Sequence, residues 1–257
     1  MNSSFHYTYR DIVNALKKIK FKKYPVIFVT SSLGMLGYCK NASSNYKISN
    51  FFFKALKNLK KNNATFIFPT YSYNENIKKN VFDLNKTKSK LGYFSNFILK
   101  KKECIRSIDP FVSVCGFGPK INEILKNLPN NSYGKNCLFS RLVDYNSYCL
   151  NIGLGSNWIP FIHHLDYLNN VDFRFNKKFN ILVVNREKKT KLIWNYYSKY
   201  KKIKTITDGY KIGHKAEKKK IYKSINLGRG KIFYCDYKKL FDLSKKLSKK
   251  NHRITLV

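Results

Sequence analysis

Residues 150–166, LNIGLGSNWIPFIHHLD, read as a buried strand, a glycine-containing turn and a helix that carries His163 and Asp166. Residues three apart on a helix share a face. A carboxylate at that spacing orients the imidazole or holds its positive charge, as a general base requires. The same pair also fits a structural histidine beside a solvated aspartate, so the rest of the chain must supply the context. His164 lies about 100° further round the helix and reads as a bystander.

Outward from this stretch, strands and helices interleave. An apolar spacing at Ile12, Val13, Leu16 and Ile19 predicts an amphipathic first helix. Residues 26–29 form a short buried strand that runs into the loop TSSLGMLGY. Ser49 or Asn50 is the expected cap of a second helix with Phe53, Leu56 and Leu59 inside. Residues 65–68 are the next strand, stopped by Pro69. The polar segment 71–90 shows little periodicity and reads as a long loop. Helices follow at 93–99 and 121–128, and β-type runs at 148–153 and 181–185. Strands at 220–226 and 231–234 and a closing helix at 237–247 end the chain. The alternation predicts a single α/β domain over 1–257, a central mixed sheet flanked by helices. The lysine-rich stretch 186–223 reads as a small insertion or subdomain.

A hydrophobic fraction of 43% in 257 residues is enough for a real core. No apolar run reaches the roughly 18 residues that cross a bilayer, and no segment reads as a signal peptide, so a cytoplasmic protein without membrane insertion is expected. The six cysteines, among them Cys137, are scattered with no C-x-x-C pair. That argues against a zinc site and against a disulfide framework, and no metal is expected. The formal charge of +37 invites a nucleic-acid reading. Its lysines are spread in ones and twos without a finger, RNP or helix-turn-helix pattern, so they read as solvated surface and no specific nucleic-acid partner is expected. The field they create still favours anionic ligands and disfavours polycations.

Four separated segments carry chemistry together. The loop at 29–38 follows a strand, and its small residues let backbone N–H groups approach an acceptor. FPTYSYN at 68–74 is another strand end. RSIDPFVSVCGFG at 106–118 offers a guanidinium fork and a hydroxyl suited to phosphate. The fourth is the opening stretch. Strand ends of an open α/β sheet gather at one crevice, where ligands bind.

In this order and at these distances the chain resembles the aminoglycoside 3-N-acetyltransferase-like (antibiotic N-acetyltransferase) family. That family has an H-[ST]-S-L-x-x-x-G loop, M-P-T, R-S-x-H-P-x-x-S, G-x-x-S, a Leu-rich strand with Gly, and T-x-x-H-x-x-E. Here residues 30–37, 68–70, 106–113, 134–137, 150–153 and 160–166 stand in those places. NVDFRFNKKF at 170–179 and GKIFYCDYKKLFDL at 230–243 also fit. The likeness spans most of the chain from about Tyr24 and is weakest over 188–219.

The resemblance implies transfer from acetyl-CoA to an amine in an α/β fold distinct from the GNAT type. By position, Ser31, Ser32 and Leu33 would line the pantetheine and thioester, their N–H groups facing the acyl oxygen. Arg106, Ser107 and Ser113 would serve the coenzyme's phosphates or nearby pantetheine. His163 would be the general base, with Asp166 in the family's glutamate position as its partner or as an amine contact. Tyr71, Asp109 and Arg174 would contact the acceptor. A positioned base and an oxyanion-directed donor suffice for direct transfer. Cys137, in the family's serine position, is not needed as an acyl carrier, since no base adjoins it in sequence.

Thr30, Asp109 and Pro160 depart from the family's His, His and Thr, and Asp166 is a methylene shorter than its Glu. The departures sit on the acceptor side, and 14 Asp plus Glu offer little to a polycation. Members with Asp-Pro in the third motif and an R-[FY] pair after the histidine helix look like enzymes of cell-surface glycan (polysaccharide) synthesis. The expected partner is therefore a small-molecule amino sugar, carried on a nucleotide; a homo-oligomer is compatible with the sequence. The alternatives are an aminoglycoside 3-N-acetyltransferase proper, O-acyl transfer to a glycan, transfer of a longer acyl group, an inactive relative kept for interaction, and a basic nucleic-acid-binding protein.

Overall fold

The computed structural model describes residues 5–21, 23–59, 63–73 and 80–257. Helix α1 (Tyr9–Lys18) starts from a reciprocal cap: Thr8 accepts the Asp11 N–H, and Asp11 accepts the Thr8 N–H. Its Ile12, Ala15 and Leu16 are buried, as the spacing requires. Strand β1 (Val26–Ser31) runs through a short 3-10 turn (Leu33–Leu36) to α2 (Asn45–Leu59). This helix begins four residues before Ser49, because Ser44 accepts the Lys47 N–H and so takes the capping role. Ser49 is buried within it.

Strands β2 (Thr65–Pro69) and β3 (Val81–Asp83) follow, then α3 (Tyr93–Leu99), β4 (Ile105–Arg106) and β5 (Val114–Phe117). Next come α4 (Ile121–Leu125), α5 (Leu138–Asp144), β6 (Ser147–Ile152) and α6 (Ile162–Leu168). The chain closes with β7 (Arg174–Asn185), β8 (Lys188–Lys199), α7 (Tyr210–Lys218), β9 (Lys223–Leu227), β10 (Gly230–Asp236) and α8 (Tyr237–Lys250).

Seven strands form the main sheet in the order β4-β5-β2-β1-β6-β10-β9. Its centre, β2-β1-β6, is parallel, and the flanking pairs are antiparallel. The central strands are apolar on both sides because both faces are covered. Val26 and Phe28 join the cluster under α4, α5, α6 and α8; Ile27 and Val29 join the one under α1, α2 and α3. The period of two along a strand produces this division.

A second sheet, β3-β7-β8, packs on the first of these clusters. Two expectations change here. The stretch 186–223 does not stand apart: β8 pairs with β7 from Arg174↔Lys199 to Asn185↔Lys188, and Trp194, Tyr196, Ile212 and Tyr222 enter the core shared with Phe28. The exposed lysines among them, such as Lys189 and Lys191, made the segment look foreign. The segment 71–90 is not all loop, since β3 lies parallel to β7 from Val81↔Leu182 to Asp83↔Val184; its residues 74–79 lie outside the described residues.

Candidate active site

The parallel strands β1 and β6 end level with each other, Ser31 opposite Ile152. Their two outgoing loops are locked together. The Ser32 N–H donates to the Ile152 carbonyl (2.8 Å), and Gly153 takes φ +71° beneath the Ser32 carbonyl oxygen. A Cβ on Gly153 would lie 2.3 Å from that oxygen, so only glycine closes the turn. Of the three backbone donors expected to face an acyl oxygen, that of Ser32 is therefore spent on the sheet.

Two cavities open at this crevice. The first, about 970 Å³, is lined by Ser31, Ser32, Leu33 and Gly34 and by Ser43, Ser44 and Asn45 at the start of α2. Lys90 and Arg229 are its cationic lining residues. The second, about 710 Å³, is lined by Tyr71, Tyr73, Tyr196 and Tyr200, with His163, Arg174, Lys199, Lys201 and Asp208. Trp158 lines both. Its carbonyl accepts from Asn151 (3.0 Å) and Tyr222 (3.2 Å), and Thr30 donates to Asn151 (2.6 Å). Thr30, in the place of the family's histidine, thus sets the wall between the cavities through Asn151. The indole Nε1 of Trp158 has no hydrogen-bond partner among the described residues.

His163 and Asp166 share a face of α6, as their spacing predicts, but a third group intervenes. Arg174 Nη2 lies 2.8 Å from His163 Nδ1, and Arg174 Nε lies 2.9 Å from Asp166 Oδ2. His163 Nδ1 is 3.6 Å from Asp166 Oδ2, and Thr255 donates to Asp166 Oδ1 (2.7 Å). The carboxylate is 1% exposed, whereas the His163 side chain is 27% exposed to its cavity. Burial, and after it the Arg174 guanidinium, push the His163 pKa down against the upward pull of Asp166. The ring is held neutral near pH 7, the state a base starts from.

The residues expected at the coenzyme's phosphates or nearby pantetheine line neither of these cavities. Arg106 donates to the Leu84, Thr87 and Thr70 carbonyls and twice to Ser113 Oγ. These bonds use all of its roughly five N–H groups. Ser113 donates onward to the Thr70 carbonyl, and Ser107 accepts the Val114 N–H. The trio lines neither large cavity and staples the β2–β5 end to the loop after β3. Asp109 is likewise outside the cavity that holds His163: it accepts from the Phe111 and Val112 N–H groups and from Ser132. Burial raises its pKa to about 6. Tyr71 and Arg174 do reach the cavity that holds His163.

His164 is 1% exposed, its ring between Phe139 and Phe241, and burial lowers its pKa to about 4. Its Nδ1 stands 3.6 Å from Cys137 Sγ, a neighbour that sequence distance concealed. Burial raises the thiol's pKa and closes it from both cavities, so the pair is structural. Trp158, Lys199, Lys201 and Thr255 carry no local sequence signal; only the closure of α6, β7 and β8 brings them to the site.

Residues 28–249 match the profile of the aminoglycoside 3-N-acetyltransferases. The chain belongs to that family. It is thus an N-acetyltransferase, and the cleft between β1, β6 and α6 is the enzyme's candidate active site. No curated protein sequence matches it directly. The fold is that of YokD from Bacillus subtilis (17% identity, 95% of this chain and 100% of that one, TM-score 0.76). It is equally that of AAC-IIIb in a binary complex with CoASH (13%, 95% and 97%, 0.78) and of AAC-VIa bound to sisomicin (12%, 95% and 97%, 0.78). Among the described residues no helix is long and apolar enough to cross a membrane, and no group of three His, Cys, Asp or Glu side chains could hold a metal ion.

Proposed function

We propose that the enzyme transfers acetyl from acetyl-CoA to the amine of an amino sugar that carries an anionic group, in the manner of a nucleotide-linked sugar. The thioester arm lies in the cavity of Ser31, Ser32 and Leu33, with the cations Lys90 and Arg229 and the N-terminal end of α2 available to phosphates. The acceptor occupies the cavity of His163 and stacks its rings on the tyrosines. His163 takes the amine's proton as the C–N bond forms and the C–S bond breaks, which releases the coenzyme thiol.

One observation carries the choice of acceptor. Arg174, Lys199 and Lys201 line this cavity, and its one lining carboxylate among the described residues, Asp208, is engaged by the Tyr210 N–H and the Asn157 amide. Asp166 is engaged by Arg174 and Thr255. With Arg174 already balanced by Asp166, a polycationic antibiotic would still meet Lys199 and Lys201 and no free lining carboxylate among the described residues, whereas a phosphate meets its complement. Purified enzyme should release CoA from acetyl-CoA with an amino-sugar nucleotide and not with aminoglycosides. Turnover confined to aminoglycosides overturns this acceptor assignment.

A further inference from the structure

We infer that Arg174 is a latch on His163 that an anionic group of the acceptor opens, so that the enzyme arms its base only for anionic acceptors. The inference rests on the reading of His163 as the base. A guanidinium has donors and no acceptor, so the 2.8 Å contact makes His163 Nδ1 the acceptor of an Arg174 N–H. A neutral ring held in this way carries its proton on Nε2, the opposite edge, and cannot take another there. A base needs the other tautomer, with Nδ1 protonated and Nε2 bare. Asp166 Oδ2, 3.6 Å from Nδ1, is placed to receive that Nδ1–H once the guanidinium has moved off.

Arg174 can tilt only as a whole, because its guanidinium is one rigid plane. Its ion pair from Nε to Asp166 (2.9 Å) is the pivot, and the longer contact from Nη1 to the neutral Tyr197 carbonyl (3.2 Å) is the one that yields with it. Arg174 lines the acceptor cavity, and among the described residues its Nη2 has only a neutral imidazole and the Thr207 hydroxyl (3.2 Å) as partners. A phosphate or carboxylate oxygen is the stronger partner for a guanidinium, so an anion in the cavity tilts the whole group about its Asp166 bond and takes Nη2 off the ring. The imidazole then loses its Nε2 proton to solvent, gains one at Nδ1, and faces the amine as an acceptor. The charged groups around the ring are Arg174 from β7, Asp166 from α6 and Lys199 from β8. Both cations oppose imidazolium, and an acceptor anion beside Arg174 offsets them as the proton arrives. A neutral or cationic acceptor brings no such exchange, and the ring stays a donor.

The test compares an amino-hexose with its 1-phosphate as acceptors and measures kcat and KM for each. The wild-type kcat should be at least about tenfold higher on the phosphate. Arg174→Gln should lower kcat on the phosphate and raise it on the uncharged sugar, which brings the ratio to about one. A purely structural role would lower both alike, and that result would overturn the latch while the base assignment stands. Absence of acetyl transfer to any amine would instead remove the base reading. Because the variant disturbs a buried ion pair, a second measurement uses wild-type protein: 15N NMR of the His163 ring with and without inorganic pyrophosphate. The free protein should show the proton on Nε2, and pyrophosphate should move it to Nδ1. A ring protonated on Nδ1 from the start, or unmoved by pyrophosphate, overturns the inference.

Discussion

Arg106 and Arg174 are both nearly buried, 9% and 7% exposed, yet the regions around them use the same side chain in opposite ways. Arg106 sits among carbonyls and a hydroxyl that consume every N–H it has, with its plane over the Phe82 ring. No carboxylate among the described residues bonds it directly, and burial lowers its pKa to about 10 against the upward pull of Cys115 and Asp83. Arg174 has a carboxylate as counter-ion, a histidine at its tip and a cavity beside it. A saturated guanidinium holds a frame together, whereas one with a replaceable partner beside open volume can recognise a ligand. An Arg-Ser motif read along the chain does not distinguish the two cases; the count of donors left over does.

The contrast can be broken most sharply on the cavity side. His163→Ala should cost at least about 100-fold in kcat while calorimetry finds coenzyme A binding unchanged. Equal loss of both would mean that the two cavities are not separate binding units. On the frame side, Arg106→Ala leaves the Thr70, Leu84 and Thr87 carbonyls and Ser113 short of a donor. Urea denaturation should register a loss of about 3 kcal/mol or more, with coenzyme affinity in the folded fraction unaltered. A coenzyme Kd that rises steeply without loss of stability would return Arg106 to the ligand.

The smallest effect tests Asp109, also part of the frame. Its pKa is raised from 3.8 to about 6, chiefly by burial. Between these values the folded protein keeps a proton that the unfolded chain has released, so stability falls as pH rises through that window and is flat above it. Asp109→Asn retains an oxygen for the Phe111, Val112 and Ser132 donors and removes the charge. Denaturation midpoints from about pH 4 to 7 should lose this slope, while KM for the acceptor stays as in the wild type. A changed acceptor KM would place Asp109 in the cavity after all.

What could be read from the sequence was what local spacing encodes. The strand–turn–helix at 150–166 formed as read, since an apolar run, Gly153 and the His163/Asp166 spacing each act within a few residues. The turn at 31–33 was legible for the same reason. The start of α2 was misplaced because two serines five residues apart, Ser44 and Ser49, both suit a cap and only the folded helix selects between them. The β7–β8 hairpin was half hidden, as its outward lysines mask the alternation that buries Trp194 and Tyr196. The Arg174 bridge was invisible in principle, because eight residues of sequence separate it from Asp166 and only the strand's direction decides where its guanidinium ends.

Trp158 borders both chambers, and its carbonyl is tied down while its indole N–H is not. Any molecule that tilts that ring from one side alters the room available on the other. Thermodynamic reciprocity then requires each substrate to change the other's affinity by the same factor.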